Sequence, residues 1–293
     1  MAVGDFVFLD GAYLTAPEAR ISPFDRGFLF ADAVYEVTAV YDGKCFDMDG
    51  HLTRLKRSLG ELAFDAPPAL DQIAEMHAEL IVRNNLTEGQ IYLQVSRGAY
   101  GDRDFVAPAS TVPTVFAFTQ AKQLIDTAAS RNGIRAITVD DIRWGRRDIK
   151  TTQLLAQTLA KQTAKQAGAQ DAWMVEEGLV TEGASANAWI VTQDDVLVTR
   201  QISNSILSGI TRASVISRLG NLHFEERAFT PDEAKAAKEA FSTSASALVM
   251  PVVQLDDTQI GDGTPGPVTR SIQRAYYEAM GANVQAVAPW ALA

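Results

Sequence analysis

Two Asp-Gly pairs near the N-terminus constrain this chain more than any other local feature. In FVFLDGAYLT the pair Asp10-Gly11 stands between two apolar runs, and in VYEVTAVYDGKCFDM the pair Asp42-Gly43 does the same. Asp-Gly suits a tight turn whose central residues need positive φ, and such a turn folds the flanking strands back on each other. The chain therefore opens as antiparallel strands. A helix is expected from Asp49, where Leu52, Leu55, Leu59 and Leu62 share one face. A second runs from Ala69 to Asn84, behind the Pro67-Pro68 break. IYLQVSRG and TVFAFTQ read as two further strands. Residues 1–120 are thus expected to form a small N-terminal α+β domain.

Residues 121–133, in the polar stretch QAKQLIDTAASRNG, lack strand character and read as a connector. Residues 134–293 are expected to form a larger second domain. It opens with the strand IRAITVDDI, followed by a helix that carries Lys150 near its start and stops at Gly168. DAWMVEEGLVTEGASANAWIVTQDDVLVTR reads as strand, turn, strand, turn, strand. A short helix starts near Ile210-Thr211, and Thr230-Pro231 opens another with Asp232 and Glu233 in its first turn. A strand over 248–253 and a helix over 268–280 close the chain. There is no internal repeat.

Bulk properties exclude several classes. The 293 residues carry a formal charge of −10, which argues against nucleic acid or an anionic membrane surface as partner. No stretch is apolar for long enough to cross a bilayer, and the opening MAVGDFVFLDGAY reaches Asp5 too soon for a signal peptide. Cys45 is the lone cysteine, so no intramolecular disulfide forms and a reducing, cytoplasmic location is expected. His51, His77 and His223 lie far apart without ligand-spaced neighbours, so no metal site is expected. No G-x-S-x-G elbow is present. GDGTPG at 261–266 matches a dinucleotide fingerprint, but no second strand with an acidic residue follows it. It reads as a loop.

Lys150 carries more information. At a helix N-terminus the macrodipole disfavours a cation, which makes an amine there a better nucleophile. Read alone, a surface lysine is the plainer account. Its company changes that. TEGASANAW sets Glu182 in a small-residue turn between apolar strands, where a carboxylate can face a buried cation. SNSILSGITRASVI offers the Gly209 turn followed by Ile210-Thr211, with free N–H groups and a hydroxyl for a phosphate. FSTSASALVMPV offers a second hydroxyl-rich turn, and Arg54 in HLTRL is a further phosphate candidate. An amine nucleophile, a buried carboxylate and two phosphate-accepting turns suit pyridoxal phosphate.

The stretches DRGFLFADAVYE, HLTRLKRS, DDIRWGRRDIK, VTEGASANAW, ILSGITR and FSTSAS occur in this order along nearly the whole chain. In them the chain resembles the fold-type IV, or class IV, pyridoxal-phosphate-dependent aminotransferases, and within these the D-amino acid transaminase branch. The resemblance implies an α+β fold of two domains, a small N-terminal α/β domain and a larger C-terminal pseudo-barrel domain. It implies pyridoxal 5'-phosphate as cofactor, an amino donor and a keto acid acceptor as substrates, and a homodimer. By the same resemblance Lys150 carries the cofactor and moves the substrate proton, and Glu182 pairs with the pyridine nitrogen. Arg54, Gly209, Ile210, Thr211, Ser244 and Ala245 hold the phosphate, Leu207 packs behind the ring, and Tyr35 faces the substrate. Read without its motif, Tyr35 is an ordinary strand aromatic.

One departure stands out. The branch carries an Arg-x-His pair that binds the substrate carboxylate, whereas this chain reads RGAYGDRDFVAP. Arg103 matches the arginine, Phe105 stands in the histidine's place, and Arg97 is the alternative anchor. The plainer account of either arginine is a solvated loop charge. Branched-chain and (R)-amine transaminases and aminodeoxychorismate lyase share the implied fold. A non-catalytic cofactor-binding relative is the alternative of another class, and retention of both Lys150 and Glu182 argues against it.

Overall fold

The computed structural model describes residues 2–101, 103–108 and 111–292. They divide into two compact units. One runs to Gln123 and takes in Ile149–Gln153. The other comprises Leu124–Asp148 and the chain from Leu154 onward.

In the first unit the strands β1 (Ala2–Leu9), β2 (Ala12–Thr15), β3 (Ala33–Tyr41), β4 (Lys44–Cys45), β5 (Glu88–Ser96) and β6 (Thr114–Ala121) form one antiparallel sheet in the order β2-β1-β6-β5-β3-β4. Both Asp-Gly turns close hairpins, with Asp10, Gly11, Asp42 and Gly43 all at positive φ. A one-turn helix, α1 (Arg26–Phe30), is capped by Asp25, whose carboxylate accepts from the Gly27 N–H. Helices α2 (Met48–Glu61) and α3 (Leu70–Arg83) bury Leu55, Leu59, Met76 and Leu80 against Ile91, Leu93 and Val95 of the sheet. The leucine stripe foresees α2, although Leu52 and Leu62 stay only partly buried.

The second unit begins with α4 (Ala128–Asn132), capped by Thr127 and Ser130 acting reciprocally. This turn of helix lies inside the stretch read as a connector. The strands β7 (Ile134–Asp140), β8 (Asp171–Glu176), β9 (Leu179–Gly183), β10 (Asn187–Val191), β11 (Leu197–Thr199), β12 (Phe224–Glu226), β13 (Glu239–Ser244) and β14 (Leu248–Leu255) form a mixed sheet, and β15 (Thr258–Gln259) pairs with β14. Trp173 and Trp189 are fully buried, and their indole N–H groups donate to Ser242 Oγ at 3.0 Å and Thr243 Oγ1 at 2.9 Å. Helices α5 (Leu155–Gln166), α6 (Ile210–Ile216), α7 (Pro231–Lys235), α8 (Pro267–Ala279) and α9 (Val284–Val287) complete the unit. Gly168, at φ 73°, follows the C-cap of α5 in the left-handed conformation expected of it. The GDGTPG stretch is a loop, and the first-turn N–H groups of α8 at Val268 and Thr269 are taken by the Glu239 carboxylate. Among the described residues no helix is long and apolar enough to cross a membrane.

Lys150 does not sit at the start of a helix. Residues 150–152 run extended along β3: the Tyr35 N–H donates to the Lys150 carbonyl at 3.0 Å and the Thr152 N–H to the Ala33 carbonyl at 3.1 Å, around a bridge between Val34 and Thr151. Among the described residues the start of β3 has β5 on one side and no other strand of the sheet on the opposite side, since β4 pairs only at Val40 and Tyr41. That open edge captures the segment. The paired β-branched residues Thr151 and Thr152 favour the extended form, and α5 begins only at Leu155. The macrodipole argument for Lys150 therefore does not apply. Ile149 joins the first unit's core beside it.

A buried ionic cluster stiffens the same unit. Arg54 Nε and Nη2 donate to Glu36 Oε1 and Oε2 at 2.8 and 2.7 Å, and His51 Nδ1 lies 2.7 Å from Glu36 Oε2. Burial alone would raise the Glu36 carboxyl, but the Arg54 charge and the hydrogen bonds from Arg54 and His51 outweigh it and hold it at about 2. A carboxyl depressed in the folded state stabilises fully above its unfolded value, near 4.5, and loses that contribution as pH falls toward 2. Glu36→Gln removes the buried carboxylate that Arg54 and His51 share, a loss of about 3–5 kcal/mol. Urea unfolding followed by far-ultraviolet circular dichroism should show that deficit at pH 7, and it should narrow between pH 4.5 and 3 as the wild type weakens.

Candidate active site

In the first unit Lys150, Tyr35 and, through Glu36, Arg54 lie along β3, whereas Arg97, Arg103 and Phe105 do not. Lys150 Nζ lies 4.0 Å from the centre of the Tyr35 ring, a cation–π distance. Tyr35 stacks on Tyr92 at 5.6 Å, and Tyr92 packs on Phe118 at 5.2 Å, so an aromatic wall runs across β3, β5 and β6. Burial pushes the Tyr92 hydroxyl well above the ordinary range. Tyr92 carries no motif in the sequence, although the alternation of IYLQV and the pairing of β5 with β3 put it on the face of Tyr35.

The two candidate anchor arginines differ. Arg97 donates to Asp32 Oδ2 at 2.8 Å and to the carbonyls of Leu62 and Ala63 at 2.6 and 3.1 Å, and its guanidinium lies over the Phe64 ring at 4.4 Å. It ties the end of β5 to the end of α2. Arg103 is exposed, with its guanidinium over the rings of Phe30 and Phe105 at 5.1 and 5.5 Å. The neighbouring Asp102 lies outside the described residues.

In the second unit Glu182, one residue before the end of β9, is buried. Arg143 Nη1 donates to Oε1 at 2.5 Å, Asn187 Nδ2 to Oε2 at 2.9 Å, and the Leu207 N–H lies 3.2 Å from both oxygens. Burial raises the Glu182 carboxyl above the ordinary range, against the pull of the Arg143 charge and hydrogen bond and the Leu207 amide. Arg143 is fixed in turn by Asp141, which accepts from Nη2 at 2.6 Å and from Nε at 2.9 Å through its other oxygen. Burial works against the Arg143 charge, but Asp141 and Glu182 outweigh it and raise its already high pKa further.

The Asn187 amide also donates to the Leu207 carbonyl at 2.9 Å, so Glu182, Asn187 and Leu207 close a ring of hydrogen bonds. Two residues on, Gly209 precedes α6, and no side chain caps that helix's first turn. A Cβ at Gly209 would stand 1.9 Å from Asn187 Oδ1, so the turn fits only with glycine. Helix α6 packs on β13, whose end leads into the turn Ser244–Ala247; there the Ala247 N–H donates to Ser244 Oγ at 3.2 Å. Thr211 is buried, while Ser244 and Ala245 are half exposed. The donor set fits pyridoxal phosphate: a buried acceptor for a ring N–H, joined through Leu207 to a glycine turn that opens a helix without a side-chain cap, beside a hydroxyl-bearing turn. Among the described residues no group of three or more histidine, cysteine and acidic side chains is placed to hold a metal.

Residues 33–255 match the family model of the class IV aminotransferases. The chain is 38% identical over 271 residues to a D-alanine aminotransferase of Bacillus licheniformis, covering 92% of this chain and 95% of that protein. It is 39% identical over 274 residues to a D-alanine aminotransferase of Staphylococcus haemolyticus, covering 92% and 96%. Among solved structures it is similar to the T.th. branched-chain amino acid aminotransferase complexed with N-(5'-phosphopyridoxyl)-L-glutamate, with TM-score 0.85 and 27% identity over 95% of each chain. This chain therefore belongs to the class IV aminotransferases. It is a pyridoxal-phosphate-dependent transaminase of the α+β, fold-type IV kind.

Arg143→Met strands the Glu182 charge in the interior, so it should destabilise the protein by about 3–5 kcal/mol. Arg143→Lys should recover part of that loss. Denaturant unfolding of the cofactor-free protein measures both, and equal stability of Arg143→Met and wild type would contradict the network.

Proposed function

We propose that the protein transfers the amino group of a D-amino acid such as D-alanine to a 2-keto acid such as 2-oxoglutarate, in two half-reactions of ping-pong type. The observation that carries this reading is the likeness to D-alanine aminotransferases at 38–39% identity over 92% of the chain. The branched-chain enzyme shares the fold at 27% identity, so the D-amino acid reading takes precedence.

Each role rests on the chemistry of its side chain. When bound, pyridoxal phosphate supplies an electron sink that stabilises the carbanion left by loss of the substrate α-proton. Lys150 would hold the cofactor through its amine and would take the substrate α-proton and return it. The Tyr35 ring beneath Nζ at 4.0 Å restricts where that amine moves. Glu182 accepts the pyridine N–H and keeps that nitrogen cationic; the hydrogen bonds from Arg143, Asn187 and Leu207 fix its position in advance. The turns at Gly209–Thr211 and Ser244–Ala245 would hold the phosphate, and Leu207 would pack against the cofactor. Arg54, with its orientation set by Glu36, which occupies Nε and Nη2, would serve as a phosphate ligand. Arg103 meets the substrate carboxylate with two parallel N–H donors, while Arg97 keeps the fold contacts described above. The working form is a homodimer in the cytoplasm.

Lys150→Ala should retain cofactor through the phosphate turns but lose the visible absorbance of the lysine-bound form, and turnover should fall about 10²–10⁴-fold or more. Glu182→Gln should keep the fold, because Arg143 retains Asp141 as counter-ion, and lose about 10²–10³ in kcat, as when one preorganised group opposite developing charge is removed. A panel of D- and L-amino acids with 2-oxoglutarate tests the donor class. Faster transfer from L-valine or L-leucine than from D-alanine would falsify the D-amino acid reading.

A further inference from the structure

Phe105 is a departure from the branch's pattern, and the structure gives it a use. Its ring lies 5.4 Å from that of Phe30, the last residue of α1, and the Arg103 guanidinium stands over both rings, at 5.5 and 5.1 Å. The backbone beneath is held separately. Arg26 is buried, and its Nη1 and Nη2 donate to the carbonyls of Asp104 and Phe105 at 2.6 and 2.9 Å. Its Nε donates to Asp32 at 2.9 Å, and its guanidinium also lies 4.7 Å from the centre of the Phe30 ring. Asp32 Oδ2 is shared with Arg97, so the loop hangs from a fixed point at the end of β5. The Val106 N–H closes back on Asp104 Oδ1 at 2.9 Å.

Phe105 is 76% exposed. Leaving a phenyl ring in water is unfavourable unless something uses its face, and the guanidinium above it does. A planar cation stacked on rings loses rotamer freedom before any ligand arrives, so less entropy remains to be lost on binding.

Building on the reading of Arg103 as carboxylate anchor, we propose that Phe30 and Phe105 seat the Arg103 guanidinium and Arg26 locks the loop beneath it, so that this chain orients its anchor for the substrate α-carboxylate with aromatic rings instead of a second hydrogen-bond donor. Phe30, Phe105 and Arg26 are positioning residues. Their effect belongs to substrate binding and not to proton transfer, so it falls on KM.

Three single variants and one double variant in the holoenzyme test this with D-alanine as donor. Arg103→Ala should raise KM about ten- to a hundredfold, the loss of hydrogen bonds to a charged group. Phe105→Leu and Phe30→Leu should each raise KM about two- to fivefold, the worth of an exposed cation–π contact, with kcat within a factor of two. Adding Phe105→Leu to Arg103→Ala should cause no further rise, because the ring acts only through the guanidinium. In the cofactor-free protein, amide exchange across 103–106 should quicken in Phe105→Leu. Unchanged KM and unchanged exchange in both leucine variants, beside a raised KM in Arg103→Ala, would overturn the seat and leave the anchor standing. Unchanged KM in Arg103→Ala would instead remove the anchor itself. Additive losses in the double variant would show that Phe105 acts on its own and also overturn the proposal.

Discussion

A carboxylate cannot be taken out of water alone, and each unit of this chain is arranged around one that was. Glu36 and Glu182 are both buried, and each is met by one arginine, Arg54 and Arg143 respectively. The balance between burial and charge is struck differently in the two. At Glu36 the bidentate Arg54 and His51 outweigh burial, so the group stays ionised far into acid. At Glu182 burial wins, because Arg143 divides its donors between Glu182 and Asp141. The first arrangement suits a structural counter-ion. The second leaves a buried carboxyl above the ordinary range.

The backbone does comparable work at Lys150. Anchoring an amine through main-chain hydrogen bonds to β3 sets its Cα independently of any side-chain partner. Such placement is stiffer than a helix end, which frays. Tyr35 comes from the adjoining residues of the same strand, so amine and ring are aligned by one register.

Much of this was written locally. The Asp-Gly turns, the leucine stripe of α2 and the glycine stop of α5 all depend on neighbours within a few residues, and they read correctly. Lys150, Glu182, Gly209 and Ser244 stand out in the sequence because their motifs are short and ordered, and their roles at the cofactor are the proposal made above. What was hidden depends on distance along the chain. Glu36 and Arg54 are 18 residues apart, and Arg143 and Glu182 are 39 apart; no periodicity joins such pairs. The extended course of 150–152 was missed for a related reason: only the open edge of β3, over a hundred residues earlier, explains it. The seat of Arg103 was likewise unreadable, since Phe30 and Phe105 meet only in the fold.

The two indoles hydrogen-bonded in the second unit's core have an optical corollary. All 4 tryptophans, Trp144, Trp173, Trp189 and Trp290, fall within that unit, whereas the first holds only tyrosines among its ultraviolet-emitting side chains. Emission excited at the red edge of the band therefore reports on one half of the molecule. A fluorescence-detected unfolding trace thus records the surroundings of those four rings and carries no tryptophan from the unit that bears Lys150 and Arg103.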